Sequence, residues 1–300
     1  MPHPALSIPT AGRPDPVLAE APYRIASVCL VTRDRDGLAR FYRDAIGLTP
    51  IAQAGDRLQL GVGDRVLLEL RQDSAARPRS PREAGLFHTA FLLPGRADLG
   101  AWLAHAAARG LPLSGASDHR VSEAVYLADP EGNGIEIYAD RPSAAWPRMP
   151  DGSVVMRTDP LDGPALVRAA DRPWQGMPPG GVVGHVHLQV GALEPAERFY
   201  ADLLGFDVTC RYPGALFLGA GGYHHQLAAN IWNSRGAPAR PAGTTGLAEI
   251  ALHADAALLT DLRARCRQAG LTAGEGEGAL LLDDPWGTQL RIAAPGGAAA

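Results

Sequence analysis

The sequence repeats itself. Phe41-Tyr42-Arg43-Asp44-Ala45-Ile46-Gly47-Leu48 returns as Phe199-Tyr200-Ala201-Asp202-Leu203-Leu204-Gly205-Phe206, an offset of 158 residues. Asp129-Pro130-Glu131-Gly132 returns as Asp284-Pro285-Trp286-Gly287, an offset of 155. Two features recurring in one order at nearly one spacing imply a duplicated half of about 155 residues. A chain of 300 residues with 46% hydrophobic content also exceeds what one core normally holds, since single domains usually stop near roughly 150 to 200 residues. The expected division is therefore a flexible proline-rich arm over 1–22, a first domain over 23–140, a linker over 141–181 and a second domain over 182–294.

Within each half the hydrophobic period changes in one order twice: a strand, a helix, then three short strands. In the first copy Ile25 to Thr32 is β-rich, and Leu38, Phe41, Tyr42 and Ala45 form a helical stripe closed by Gly47. Strands are predicted around 58–60 and 66–70, across the turn Gly61-Val62-Gly63-Asp64. The second module predicts a strand over 86–93, a helix over 97–109, and strands at 124–128 and 135–138. The third runs over 182–230 and the fourth over 247–292. Four βαβββ modules make this an α+β chain. The proline-rich linker is expected to wrap the surface, with Trp146 and Trp174 pinning it down.

Composition narrows the partners. A net charge of −4, with acids and bases interspersed, offers no broad basic face to nucleic acid or anionic lipid. Cys29, Cys210 and Cys266 are odd in number and far apart, which argues against a disulfide framework or a thiolate zinc site. They suit a reducing cytoplasm. No apolar run approaches the roughly 20 residues that span a bilayer, and the arm has no signal-peptide pattern. A homo-oligomer is left open.

The nine histidines carry the chemistry. In Gly184-His185-Val186-His187-Leu188, strand alternation puts His185 and His187 on one face; His187 by itself reads as a residue that hydrogen-bonds a neighbour. His88 begins the corresponding strand of module two. Glu136 sits in the middle of an otherwise apolar strand, Gly134-Ile135-Glu136-Ile137-Tyr138, and a buried carboxylate must be paired, protonated or bound to a metal. His88, Glu136 and His185 together make the set of two histidines and one carboxylate that holds non-haem iron(II), and manganese(II) fits the same donors. In Tyr223-His224-His225-Gln226 one histidine is expected inward and one outward. His119 alone reads as a loop histidine.

With these residues assembled, the chain resembles the vicinal oxygen chelate superfamily of glyoxalases, bleomycin resistance proteins and extradiol dioxygenases, and most nearly its catechol 2,3-dioxygenase-like branch. The motif that carries the resemblance runs His119, five residues, Val125-Tyr126, two residues, Asp129-Pro130, one residue, Gly132, three residues, Glu136. The resemblance implies two domains with cupped mixed sheets, an iron(II) centre held by His88, Glu136 and His185, and an aromatic diol and dioxygen as substrates. It also implies an acid/base role for His225, and contacts of Tyr126 and His119 with the diol and the developing product. Phe91 and Phe217 are expected among the cavity-lining residues.

The order of the modules departs from the family's usual one, because His185 and His225 follow His88, His119 and Glu136. Ser27, Glu249 and Arg291 stand where the other modules carry ligands. Two arrangements fit. Modules two and three share the cavity, within one chain or across a dimer, while one and four form a support. Alternatively each half closes on itself, with Glu69, His88 and Glu136 in one site and His185, His225 and Glu249 in the other. Two other functions remain open on the same fold: a glyoxalase-like metal-dependent isomerase or transferase, and a non-catalytic binder of aromatic ligands.

Overall fold

The computed structural model describes residues 15–271, 274–276 and 278–296. Of the expected N-terminal arm, residues 1–14 lie outside these described residues. The remainder is folded onto the body: helix α1 (Pro16–Ala19) buries Leu18, and the Asp15 carboxylate accepts from the Ser143 N–H at 2.9 Å.

Each module folds as strand, helix and three strands. Module one comprises β1 (Tyr23–Thr32), α2 (Arg35–Phe41, continued by a π turn over Tyr42–Ile46), β2 (Thr49–Ala54), β3 (Arg57–Val62) and β4 (Arg65–Gln72). Module two comprises β5 (Gly85–Leu92), α3 (Arg96–Ala108), β6 (Leu113–Asp118), β7 (Ser122–Ala128) and β8 (Gly134–Asp140). The linker carries α4 (Gly163–Arg168). Module three comprises β9 (Val182–Gln189), α5 (Leu193–Glu197, continued by a π turn over Arg198–Leu203), β10 (Asp207–Tyr212), β11 (Ala215–Gly219) and β12 (Leu227–Asn230). Module four comprises β13 (Gly246–Ala254), α6 (Ala256–Gln268), β14 (Gly274–Gly276), β15 (Ala279–Asp283) and β16 (Gln289–Ala293).

In every module the first strand pairs in parallel with the last, which requires the helical crossover between them. The modules then join through their first strands. β1 pairs antiparallel with β13, and β5 antiparallel with β9, giving two eight-stranded sheets. One reads β14-β15-β16-β13-β1-β4-β3-β2 and the other β10-β11-β12-β9-β5-β8-β7-β6. Module one therefore shares a sheet with module four, and module two with module three, inside a single chain. Each sheet therefore takes one half of its strands from 23–140 and the other half from 182–294.

One hydrophobic core joins the two sheets, with Leu30, Leu68 and Ile250 of the first clustered with Phe91, Ile137 and Val186 of the second. The crossover helix of module one buries Leu38, Tyr42, Ala45 and Ile46. It ends at Gly47, whose φ of 80° is left-handed and whose missing Cβ lets the linker approach: a Cβ there would lie 2.5 Å from the Gly176 Cα. The Met177 N–H donates to the Gly47 carbonyl at 3.0 Å. Trp146 is buried in a smaller apolar cluster with Ala90, Tyr138 and Tyr223, so it does anchor the linker. Trp174 packs partly buried at the edge of the main core.

Candidate metal centre

The second sheet positions the candidate ligands through its register. Ala90 on β5 lies opposite Glu136 on β8 and opposite His185 on β9. His88 is two residues before Ala90, hence on the same face. Four positions on three adjacent strands thus converge, and the small alanine at their centre leaves the space that three side chains occupy. The Nε2 of His88 lies 3.0 Å from Oε2 of Glu136, the Nε2 of His185 lies 3.3 Å from the same oxygen, and the two nitrogens are 3.3 Å apart. Among the described residues, these three form the one cluster of His, Cys, Asp or Glu side chains arranged to hold a metal ion.

The donor chemistry fits a hard divalent cation. Three donors on one face of an octahedron with bonds of about 2.1 Å are separated by about 3 Å, as the observed spacings are. Burial raises the pKa of Glu136, but His185 and His88 beside it outweigh that and hold its carboxyl well below the usual carboxylate range. Burial, only partly countered by Glu136, lowers His185 to about 4. The set is thus a carboxylate with a neutral imidazole, the protonation states a metal requires of its ligands.

A cavity of about 450 Å3 opens above these residues. His88, Glu136, His185, His225, Tyr126 and His119 all line it, so the structure brings together every site residue expected from the sequence. The His225 ring packs 4.1 Å from that of His185, centroid to centroid, and 5.0 Å from Phe217. His119 closes β6 in a half-buried turn. Its Nδ1 lies 2.6 Å from the Arg157 carbonyl and its Nε2 lies 2.6 Å from the Tyr126 hydroxyl. A carbonyl can only accept, so Nδ1 donates and Nε2 is the nitrogen that meets the Tyr126 hydroxyl. His119 is therefore an ordered wall residue and not a free loop histidine. Burial and the nearby Glu136 push the Tyr126 phenol well above its ordinary pKa.

Three expectations are corrected. His224 and His225 do not divide between inside and outside: both are buried, with their Nδ1 atoms 2.7 Å apart. They precede β12 in an irregular stretch, where strand alternation does not apply. Phe91 faces the core and not the cavity, because it is one residue out of phase with His88 and Ala90. Phe217 does line the cavity, and Phe87 joins it at the irregularity in β5–β9 pairing between Leu86 and His88. The arrangement with half a triad in each half of the chain is excluded by the sheet topology. His187 accepts a hydrogen bond from Asn230 at 3.0 Å, as a neighbour-bonded histidine should.

Two parts of the wall were not legible as such. The linker supplies Met156, Arg157 and Thr158, and the aromatic mouth includes Tyr212 and the half-exposed Trp232. The first sheet meanwhile repeats the ligand register without the ligands. Cys29 stands between Glu69 and Glu249 as Ala90 stands between Glu136 and His185. There, Arg57 donates to Glu69 at 2.8 Å and Arg291 to Glu249 at 2.9 Å, so each carboxylate already has its cation.

Fold and site together define a vicinal oxygen chelate protein with a candidate metal site, and the chain belongs to the Glyoxalase/Bleomycin resistance protein/Dioxygenase superfamily, whose family model matches residues 24–137 and 182–291. It is 40% identical over 262 residues to the catechol-2,3-dioxygenase of Bacillus subtilis (strain 168), covering 85% of this chain and 92% of that protein. That relationship supports a dioxygenase-like enzyme. Among solved structures, one from Bacillus subtilis that bears a provisional dioxygenase description matches with a TM-score of 0.65 at 13% identity, over 92% of this chain and 87% of that one. Glyoxalase I from Zea mays matches with a TM-score of 0.53 at 15% identity, over 92% and 94%. Both likenesses are of fold. No helix among the described residues is long and apolar enough to cross a membrane.

Proposed function

We propose that the protein is an extradiol dioxygenase, which opens a catechol-type aromatic ring beside its hydroxyl-bearing carbons with dioxygen, and that His88, Glu136 and His185 hold iron(II). Manganese(II) is the other ion the donor set accepts. The observation that carries the reading is the convergence of three donor atoms within 3.3 Å of one another on the floor of an aromatic-walled cavity. The 40% identical relative with a catechol-2,3-dioxygenase name points the same way.

A metal held by His88, Glu136 and His185 would bind the diol and dioxygen as a Lewis acid and would lower the pKa of a bound hydroxyl. The remaining work falls to the chain. His225 on the cavity wall accepts the second hydroxyl proton and returns it as the ring opens. Burial holds its imidazole well below the ordinary range, so it enters the reaction as a neutral base. Tyr126, held against His119 on the cavity wall, presents its hydroxyl to the substrate. Phe87, Phe217 and Trp232 flank the ring and exclude water. Both atoms of dioxygen enter the product, a ring-opened semialdehyde acid.

The test is anaerobic reconstitution with iron(II), followed by addition of catechol or an alkyl- or aryl-substituted catechol and air. A yellow ring-fission product with one dioxygen consumed per diol is expected. Stoichiometric iron with neither colour nor dioxygen uptake for any of these diols overturns the proposal in favour of an isomerase or a binding protein.

A further inference from the structure

We infer that Asp140 and His224 are positioning residues that fix the tautomer of His225, leaving its Nε2 unprotonated towards the cavity. The inference rests on the acid/base reading of His225 given above and supplies what that reading lacks, a reason why the ring presents a base and not an N–H.

The geometry is a chain of hydrogen bonds behind the cavity wall. Asp140 closes β8. One of its oxygens, Oδ1, lies 2.8 Å from Nε2 of His224. The other, Oδ2, accepts from the Tyr223 hydroxyl at 2.8 Å, and the Tyr138 hydroxyl stands 2.9 Å behind Tyr223. The Nδ1 of His224 then meets the Nδ1 of His225 at 2.7 Å. His224 is fully buried and the Asp140 side chain is 7% exposed, so water does not compete for these bonds.

With both imidazoles neutral, each link needs one proton and counting protons fixes their direction. A carboxylate has none to give, so His224 donates from Nε2. A neutral His224 then has only a lone pair at Nδ1. The 2.7 Å contact therefore requires the proton to sit on Nδ1 of His225, and a neutral His225 keeps Nε2 bare. That is the nitrogen left for a substrate hydroxyl. When Nε2 takes a proton, the new charge is met by a chain that ends on a carboxylate, as in other relays where an acid orients a catalytic histidine. No bond breaks in the relay.

In Asp140→Asn, with the Tyr138 hydroxyl donating to Tyr223 and Tyr223 donating to the side-chain oxygen as it does to Asp140, the amide NH2 turns towards His224. His224 must then accept at Nε2 and donate from Nδ1, and His225 must carry its proton on Nε2. The full-length chain, labelled with 15N-histidine and loaded with diamagnetic zinc(II), is examined by long-range proton–nitrogen correlation spectra. Nδ1–H on His225 is expected in the natural protein and Nε2–H in Asp140→Asn. With iron(II), Asp140→Asn is expected to lose about 10²- to 10⁴-fold in kcat, with KM and metal content unchanged; Asp140→Glu, which keeps a carboxylate, recovers part of the loss. An Nε2–H on His225 in the natural protein overturns the inference, as does Asp140→Asn with an unaltered tautomer or unaltered kcat. Should Asp140→Asn fail to fold, the spectrum of the natural protein decides. Should no diol be opened, the proposed reaction fails while the same spectrum still judges the relay.

Discussion

The Tyr42 hydroxyl donates to Oδ2 of Asp129 at 3.1 Å, across 87 residues of sequence, and the Tyr200 hydroxyl donates to Oδ2 of Asp284 at 2.8 Å across 84. These are the two motifs whose recurrence defines the duplication. Each pair ties the crossover helix of one module to the turn before the last strand of the next. Each half of the sequence is thus tied together internally by a tyrosine–aspartate bond, whereas each sheet is built by strand pairing between the halves.

Replacing Tyr42 by Phe leaves a buried Asp129 oxygen short of a donor, although Asn133 still bonds it at 2.8 Å. A loss of about 1.5–3 kcal/mol is expected, since bonds to charged groups fall in that range. Tyr200→Phe should cost a similar amount. The two sites share no partner, so the double variant should be near the sum. Urea unfolding midpoints measure all three, and metal content should not change.

His185→Ala removes a ligand. Metal affinity should fall by more than the about 10- to 100-fold that loss of a supporting outer residue costs. His225→Ala should keep its metal and lose about 10²- to 10⁴-fold in kcat. Metal analysis after dialysis, beside steady-state rates, checks the pair; equal metal in His185→Ala and the natural protein refutes the ligand assignment.

Ala90 has no chemistry but stands between Glu136 and His185. A leucine there projects into the space of the three donor atoms. Ala90→Leu should retain the fold at a cost of about 1–3 kcal/mol from overpacking, yet bind no metal. Circular dichroism and metal stoichiometry separate the two effects, and Ala90→Leu with full metal binding contradicts the register argument.

Trp232 is 44% exposed at the mouth of the cavity, with its ring 5.4 Å from Phe87. It can contact a bound aromatic without touching the donors. Trp232→Ala should raise KM by about 10-fold, the equivalent of about 1.4 kcal/mol, in keeping with a lost aromatic pair, and leave kcat near its original value. A kcat that falls instead would place Trp232 closer to the chemistry.

Acid should unfold the metal-free protein earlier than the loaded one. His185 has its folded pKa lowered to about 4, against an ordinary 6.5, and burial lowers His187 and His225 as well. In this window the unfolded chain binds more protons, so stability falls as pH drops from about 6.5 towards 4. Saturating divalent metal adds binding to the folded state alone and should raise the whole curve. Urea midpoints at pH 7, 6 and 5 with and without metal report both effects.

The duplication, the strand–helix–three-strand order and the positions of His88, Glu136 and His185 were all legible in the residues, because they rest on local spacing. The edge strands β2 and β6 were not located. Thr49–Ala54 and Leu113–Asp118 are largely exposed and lack the alternation that marks a half-buried strand; they exist because a neighbour offers backbone bonds. Phe91 was misplaced by one step of the pleat. His224 was read as half of an inward and outward pair, since nothing in Tyr223-His224-His225-Gln226 announces an aspartate 84 residues away.

What the residues determined alone is the inventory: four equivalent units, and two imidazoles with one carboxylate on strands able to face one cavity. Which units share a sheet was decided only in three dimensions. Every module presents a first strand with a free edge, and local pattern cannot choose between partners whose edges are alike. Long-range burial made the choice, pairing β5 with β9 so that Ala90 meets Glu136 on one side and His185 on the other. The same packing carried Asp140 behind His224, turning a pair of adjacent histidines into an oriented chain.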